Sequence, residues 1–193
     1  MDSSASMPTA EAARTLDGIR STREHTRKDL RSYWFPLVVF GALTLLSTPF
    51  FWLWDGGGVG LVWLAAAPAG FAAVARHYRR RELDAGVASS PRAYVVTSCL
   101  LIGACFALGF GGGIGGEPDI ARFGPPLAIA LAYVAFAWLE RSALLALLAC
   151  SLGGLTLALA FSEVTDVSQI LAAAYGASFL FVGVIARTRT PQP

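Results

Sequence analysis

The chain has 193 residues, 55% hydrophobic and 15% charged, with 20 glycines and a net charge of +2. Glycine and the hydrophobic set together make up about 65% of it, against roughly 45–50% in an average soluble domain, where about 25% of residues are charged. This composition excludes a soluble globular domain, a disordered chain and an ordinary nucleic-acid-binding module, and leaves a polytopic membrane protein.

The charges are segregated along the chain. Residues 32–54, 56–75, 93–116, 123–139, 142–162 and 167–186 contain no Asp, Glu, Lys or Arg, and these six windows hold 125 of the 193 residues. A hydrocarbon core about 30 Å thick needs about 20 apolar helical residues. Five windows meet that length. The window 123–139 has 17 residues and is expected to span with slight bilayer thinning, Arg122 and Arg141 snorkelling at its ends. Lipid offers no partner to an unpaired N–H or C=O, so the spans must be helical. A barrel would show alternating segments, and Ala143–Ala149 does not alternate. The expected fold is all-α: a six-helix transmembrane bundle over residues 32–186, with a cytoplasmic amphipathic segment 1–31 before it and a cytoplasmic tail 187–193 after it. The spans are expected near 33–54, 59–76, 92–113, 124–139, 142–161 and 167–186.

Residues 9–31 read as an interfacial helix. Thr9 can cap it, Leu16, Ile19 and Leu30 form a thin apolar stripe, and Arg14, Arg20, Arg23, Arg27, Lys28 and Arg31 occupy the other face. Basic residues near an anionic leaflet contribute about 1 kcal/mol each, so Arg23, Arg27, Lys28 and Arg31 are candidates for contact with membrane lipids or a protein partner. Glu11, Asp17, Glu24 and Asp29 nearly cancel the field of this stretch, which argues against nucleic acid. Its acidic, polar start is not that of a secretory signal.

Asp55-Gly56-Gly57-Gly58 separates the first two spans, and Pro36, Pro49 and Pro68 are expected to kink them. The second span continues into Arg76-His77-Tyr78-Arg79-Arg80-Arg81 and ends near Gly86. Arg76, Arg79, Arg80 and Arg81 form a second candidate cluster for lipid or partner contact. Ser90-Pro91 should open the third span as N-cap and first helical position. The run Gly109–Gly116 lacks the Lys-Ser/Thr of a phosphate-binding loop and is expected to be a flexible turn. Pro125-Pro126 should open the fourth span. Glu140-Arg141 leaves room only for a tight hairpin, and Asp166 with Gln169 has the form of a capping box for the sixth span.

Threading six spans places 14 of the 15 Lys and Arg residues on one side and Arg122 alone on the other. The positive-inside rule then puts both termini in the cytoplasm. Tyr33, Trp34, Tyr78, Tyr94 and Trp138 fall near one set of span ends, and Trp52, Trp54 and Trp63 near the other, as two interfacial belts would require.

The spans hold no ionisable residue at depth, where proton-coupled or sodium-coupled transport would place carboxylates. His25 and His77 are expected in water-accessible regions without metal-ligand spacing, and Cys99, Cys105 and Cys150 as small buried hydrophobes. No catalytic motif is present, so no catalytic residue, metal or cofactor is expected. Tyr133 and Tyr175 need partners at depth and are the candidate intramembrane polar contacts. Small residues recur four apart at Ala65/Ala69/Ala73, Gly109/Gly113, Ala128/Ala132, Gly154/Ala158 and Ala173/Ala177, a spacing that permits close helix packing and a homodimer.

Glu11–Arg20 leading into Tyr33–Gly41 resembles the small, Ala/Leu/Arg-rich, uncharacterised multi-pass membrane proteins of actinobacteria. Some of those resemble partners of transcriptional regulators or transporters, which implies an accessory role but no functional residue. An interfacial helix before six spans is also similar to the permease subunits of one class of export transporter. The expected function is a non-enzymatic accessory or regulatory membrane module; the alternative is a permease subunit for an uncharged or lipophilic solute.

The topology is testable by single-cysteine labelling in a background carrying Cys99→Ala, Cys105→Ala and Cys150→Ala. Reporters at positions 85 and 190 should react with a membrane-impermeant maleimide only after cells are permeabilised, and reaction in intact cells would invert the threading.

Overall fold

The structure, a computed structural model, describes residue 18 and residues 33–53, 57–85 and 92–189. Among these residues it is all-helical, with six helices: α1 Trp34–Leu53, α2 Gly57–Ala85, α3 Arg92–Ile114, α4 Pro118–Glu140, α5 Ala143–Ala160 and α6 Val167–Arg189. Each is long and apolar enough to cross a membrane. Apart from Gly18, the expected N-terminal helix lies outside the described residues, with its candidate contacts Arg23, Arg27, Lys28 and Arg31; so does the Ser90-Pro91 cap.

Two helix boundaries correct the expectations. α4 opens at Pro118 rather than at Pro125-Pro126, which both lie inside it. Pro118 takes the first-turn position where its missing N–H costs nothing, and Asp119 in that turn complements the helix dipole. Each internal proline forgoes only one bond, to the carbonyl four residues back. The short window thus lies inside a helix of 23 residues, about 35 Å long, with Asp119 and Arg122 in the turns that precede the charge-free stretch. The glycine run is also mostly helical, because α3 continues to Ile114. Only Gly115 and Gly116 form the turn, with Gly116 at φ +75° and the Glu117 N–H donating to the Gly112 carbonyl at 2.9 Å.

The α4–α5 connection is as tight as expected. Arg141 adopts φ 50°, a left-handed conformation usually left to glycine, and the Ser142 N–H closes onto the Ala137 carbonyl at 3.0 Å. The Ser142 side chain then caps α5 by accepting from the Leu145 N–H at 3.4 Å.

The first and last helices form the most extensive contact, α1 on α6. α4 packs on both α3 and α5, α2 packs on α1, and α5 touches α6 more lightly. The main cluster joins Leu37 of α1, Tyr133 and Ala137 of α4, Leu145, Leu148 and Leu152 of α5, and Val167, Leu171, Tyr175 and Phe179 of α6. α2 and α3 flank this core; no residue-rich buried face exists on α3, whose spanning window is 0% buried. Their outward leucines and valines face lipid, where exposure carries no hydrophobic penalty.

Glycines set the α1–α6 distance. A Cβ on Gly41 would lie 2.8 Å from the Leu180 backbone nitrogen, and one on Gly176 would lie 2.9 Å from that of Leu45. A Cβ on Gly183 would lie 3.2 Å from the Trp34 carbonyl oxygen. Similarly, a Cβ on Gly112 of α3 would lie 2.7 Å from the Ala121 nitrogen of α4. Most of the four-residue pairs noted above point elsewhere: Ala65, Ala69, Ala73, Gly113, Gly154, Ala158 and Ala177 are exposed.

Gly176→Ala should therefore cost about 1–3 kcal/mol of bundle stability through overpacking. Gly154→Ala, whose Cβ meets nothing within 4 Å, should be neutral or gain up to about 1 kcal/mol from helix propensity. Reversible unfolding in mixed detergent micelles measures both, and equal effects would refute the packing account.

Candidate functional site

Polar side chains in the helices either turn back on their own backbone or gather at two places. In α1, Thr44 donates to the Phe40 carbonyl at 2.7 Å, and Ser47 and Thr48 donate to the Thr44 carbonyl at 2.7 and 3.2 Å. Such bonds satisfy a hydroxyl within a single helix.

The first gathering lies in the core. Tyr175 of α6 is 4% exposed and Thr156 of α5 is fully buried. Their hydroxyl oxygens are 2.9 Å apart; the Tyr175 hydroxyl reaches the Pro126 carbonyl of α4 at 2.9 Å, and Thr156 reaches the Leu152 carbonyl at 2.8 Å. Two hydroxyl protons thus serve an acceptor set that ties α4, α5 and α6 together. The partner expected for Tyr175 at depth is this network. Tyr133 is placed differently: its ring packs 4.8 Å from Phe179 and edge-on at 5.8 Å to Phe136, with no hydrogen bond to its hydroxyl among the described residues. Both tyrosines belong to the same buried cluster.

The second gathering is at the end where α1, α3 and α5 begin and α2, α4 and α6 finish. Here α2 runs to Ala85 and exposes Arg76, Arg79 and Arg80, while Arg81 is half-buried. Arg187 of α6 places its guanidinium carbon 5.3 Å from the centre of the Trp34 ring, within cation–π range. The Tyr94 hydroxyl of α3 donates to the Glu140 carboxylate of α4. The Ser142 hydroxyl bonds the Tyr33 hydroxyl at 3.3 Å, linking the start of α5 to the start of α1.

His77 lies on the charged stretch of α2, among Arg76, Arg79, Arg80 and Arg81, and is packed as well as accessible. It is half-buried, stacked at 3.8 Å and 13° on Phe35, with Trp34 edge-on at 5.9 Å. The sequence did not reveal this aromatic packing, because a histidine among four arginines shows no apolar partner nearby in the chain. The helical period was the available signal, since residue 77 lies one turn before the half-buried Arg81. Cysteine placement also differs: Cys99 and Cys150 are exposed, and only Cys105 is partly covered.

An open groove of ≈ 630 Å³ runs between α4 and α5, lined by Val134, Trp138, Leu139, Ala143, Ala146 and Cys150, with the Arg141–Ser142 turn at one end. Among the described residues no group of three or more His, Cys, Asp or Glu side chains gathers. Chemically, the core offers a satisfied hydroxyl network, and the arginine-rich end offers cations, hydrogen-bond donors and aromatic faces. The chain matches no protein-family model, no curated protein and no solved structure.

Tyr175→Phe removes the link to the Pro126 carbonyl and should cost about 0.6–1.7 kcal/mol, the range of hydrogen bonds between membrane helices. A double-mutant cycle with Thr156→Val, read by unfolding in detergent, should show coupling; strictly additive losses would mean that the two hydroxyls act separately.

Proposed function

We propose that this chain is a non-enzymatic protein of the cytoplasmic membrane, with both termini inside, acting as an accessory or regulatory module through its arginine-rich end. The observation that carries this reading is the contrast between the two polar gatherings. The core hydroxyls of Tyr175 and Thr156 spend their bonds on helix carbonyls, whereas Arg76, Arg79 and Arg80 stand exposed on the stretch of α2 that extends past the apolar window. The orientation rests on 14 of 15 basic residues falling on that side. Exposed cations at a membrane surface suit recognition of acidic protein segments and anionic lipid, and they steer encounter from a distance.

Arg141, at the α4–α5 turn, is one of those 14 residues. A non-glycine residue in the left-handed region costs about 1–2 kcal/mol relative to glycine, and here that residue is a cation at the level where a positive-inside topology requires one. The apolar groove between α4 and α5 favours the second reading, a permease subunit for a lipophilic solute.

Crosslinking in native membranes tests the docking role. Full-length protein should capture a protein partner, and deletion of residues 1–31 combined with Arg76→Gln, Arg79→Gln and Arg80→Gln should abolish capture while membrane insertion persists. Undiminished capture would overturn the reading. Solute flux through reconstituted vesicles, lost on blocking the groove with Ala146→Trp, would favour the permease instead.

A further inference from the structure

His77 and Arg81 stand four residues apart on α2 and so share a helix face. His77 Nε2 and Arg81 Nη1 are both buried, and neither has a hydrogen-bond partner among the described residues. A guanidinium does not lose its proton in a protein, so the Arg81 nitrogen keeps its donors and requires an acceptor. Buried polar groups are nearly always paired, and two orphans on one face mark a place where a partner is missing; Arg81 requires that partner to be an acceptor, and the imidazole can offer Nε2–H to it in one of its tautomers.

The surroundings define that acceptor. Phe35 covers one face of the imidazole at 3.8 Å and Trp34 borders it, so this wall is apolar. The nearby Glu140 carboxylate already accepts the Tyr94 hydroxyl. Glu140 and Arg81 both act electrostatically on Tyr78, so one negative charge already offsets part of the local field. A singly charged oxyanion with several lone pairs suits such a place, since it can accept from both orphan nitrogens. Exposed Arg76, Arg79 and Arg80 raise the potential along the approach. Trp34 and Tyr78 border the imidazole at 5.9 and 5.7 Å, and such aromatics sit at the headgroup level of a bilayer. His77 and Arg81 are each half-buried although the two nitrogens are covered, so rotation of the long Arg81 side chain is what brings its guanidinium to an anion at the membrane surface.

We propose that His77 and Arg81 form a seat for a phosphate-bearing anion, of which the phosphodiester of an anionic phospholipid is the source at the right depth. The seat depends on the placement of the bundle in the membrane and requires no protein partner.

The test uses the full chain in neutral detergent, titrated with phosphatidylglycerol and followed by native mass spectrometry. Arg81→Gln should weaken phosphatidylglycerol binding about tenfold, the loss of one charge-assisted hydrogen bond. His77→Gln should weaken it less, and Arg81→Lys should recover part of the affinity. Arg80→Gln removes the same charge from an exposed position and should change binding less than about twofold, as expected for a solvated charge. Helical circular dichroism confirms that each variant folds. Competition by inorganic phosphate, with the same dependence on Arg81, would identify a free anion as the occupant; failure to compete would identify the lipid. Equal losses for Arg80→Gln and Arg81→Gln, or no loss for either, would overturn the seat.

Discussion

The close approach of α1 and α6 organises the rest of the bundle. Lipid is as apolar as leucine, so these helices gain little from leaving it and must associate through van der Waals contact. Contact of that kind decays within a fraction of an ångström, so it rewards surfaces that let two backbones nearly touch. Gly41, Gly176 and Gly183 provide such a surface; a methyl group at Gly41 or Gly176 would reach 2.8–2.9 Å from a backbone nitrogen of the partner helix. Because α1 and α6 are the first and last of the six described helices, their contact is the one most distant in sequence.

Once α6 is fixed against α1, its other face carries Tyr175 and Phe179 toward α4 and α5. The Tyr175 hydroxyl meets the Pro126 carbonyl, and Thr156 completes the set. In water such bonds compete with solvent; in hydrocarbon the competing partners are other protein groups, so the network adds register more than bulk stability. The tight α4–α5 turn has a comparable effect at the opposite level. With Arg141 held left-handed and Ser142 capping α5, the two helices have little freedom to slide.

The arginine-rich end differs in kind from the core. It mixes exposed cations with aromatic faces and with the orphan nitrogens of His77 and Arg81. A core places polar atoms only where the protein itself can satisfy them. At this end two nitrogens stay unpaired among the described residues, which is the basis of the anion seat proposed above.

The number of spans, the tight Glu140-Arg141 link and the sorting of charge were all legible in the chain, because a charge-free stretch of about 20 residues has one stable solution in lipid. Helix limits were less legible. Pro125-Pro126 resembled a start signal, yet Pro118 held the better position seven residues earlier, and a glycine-rich stretch remained helical as far as Ile114. Local punctuation is a weak signal once neighbouring helices and a nonpolar solvent both favour continued hydrogen bonding.

Side-chain partnerships were decided only in three dimensions. Several small-residue stripes were equally eligible by spacing, but most of them face lipid, while the contacts form at Gly41, Gly176 and Gly183. Two tyrosines looked equivalent, yet among the described residues only Tyr175 has hydrogen-bonded partners. His77 lies in a charged stretch and is also stacked on Phe35. Hydropathy and charge act residue by residue and survive in the linear order. Which face meets which depends on how six helices rotate and approach, and that is a property of all of them together.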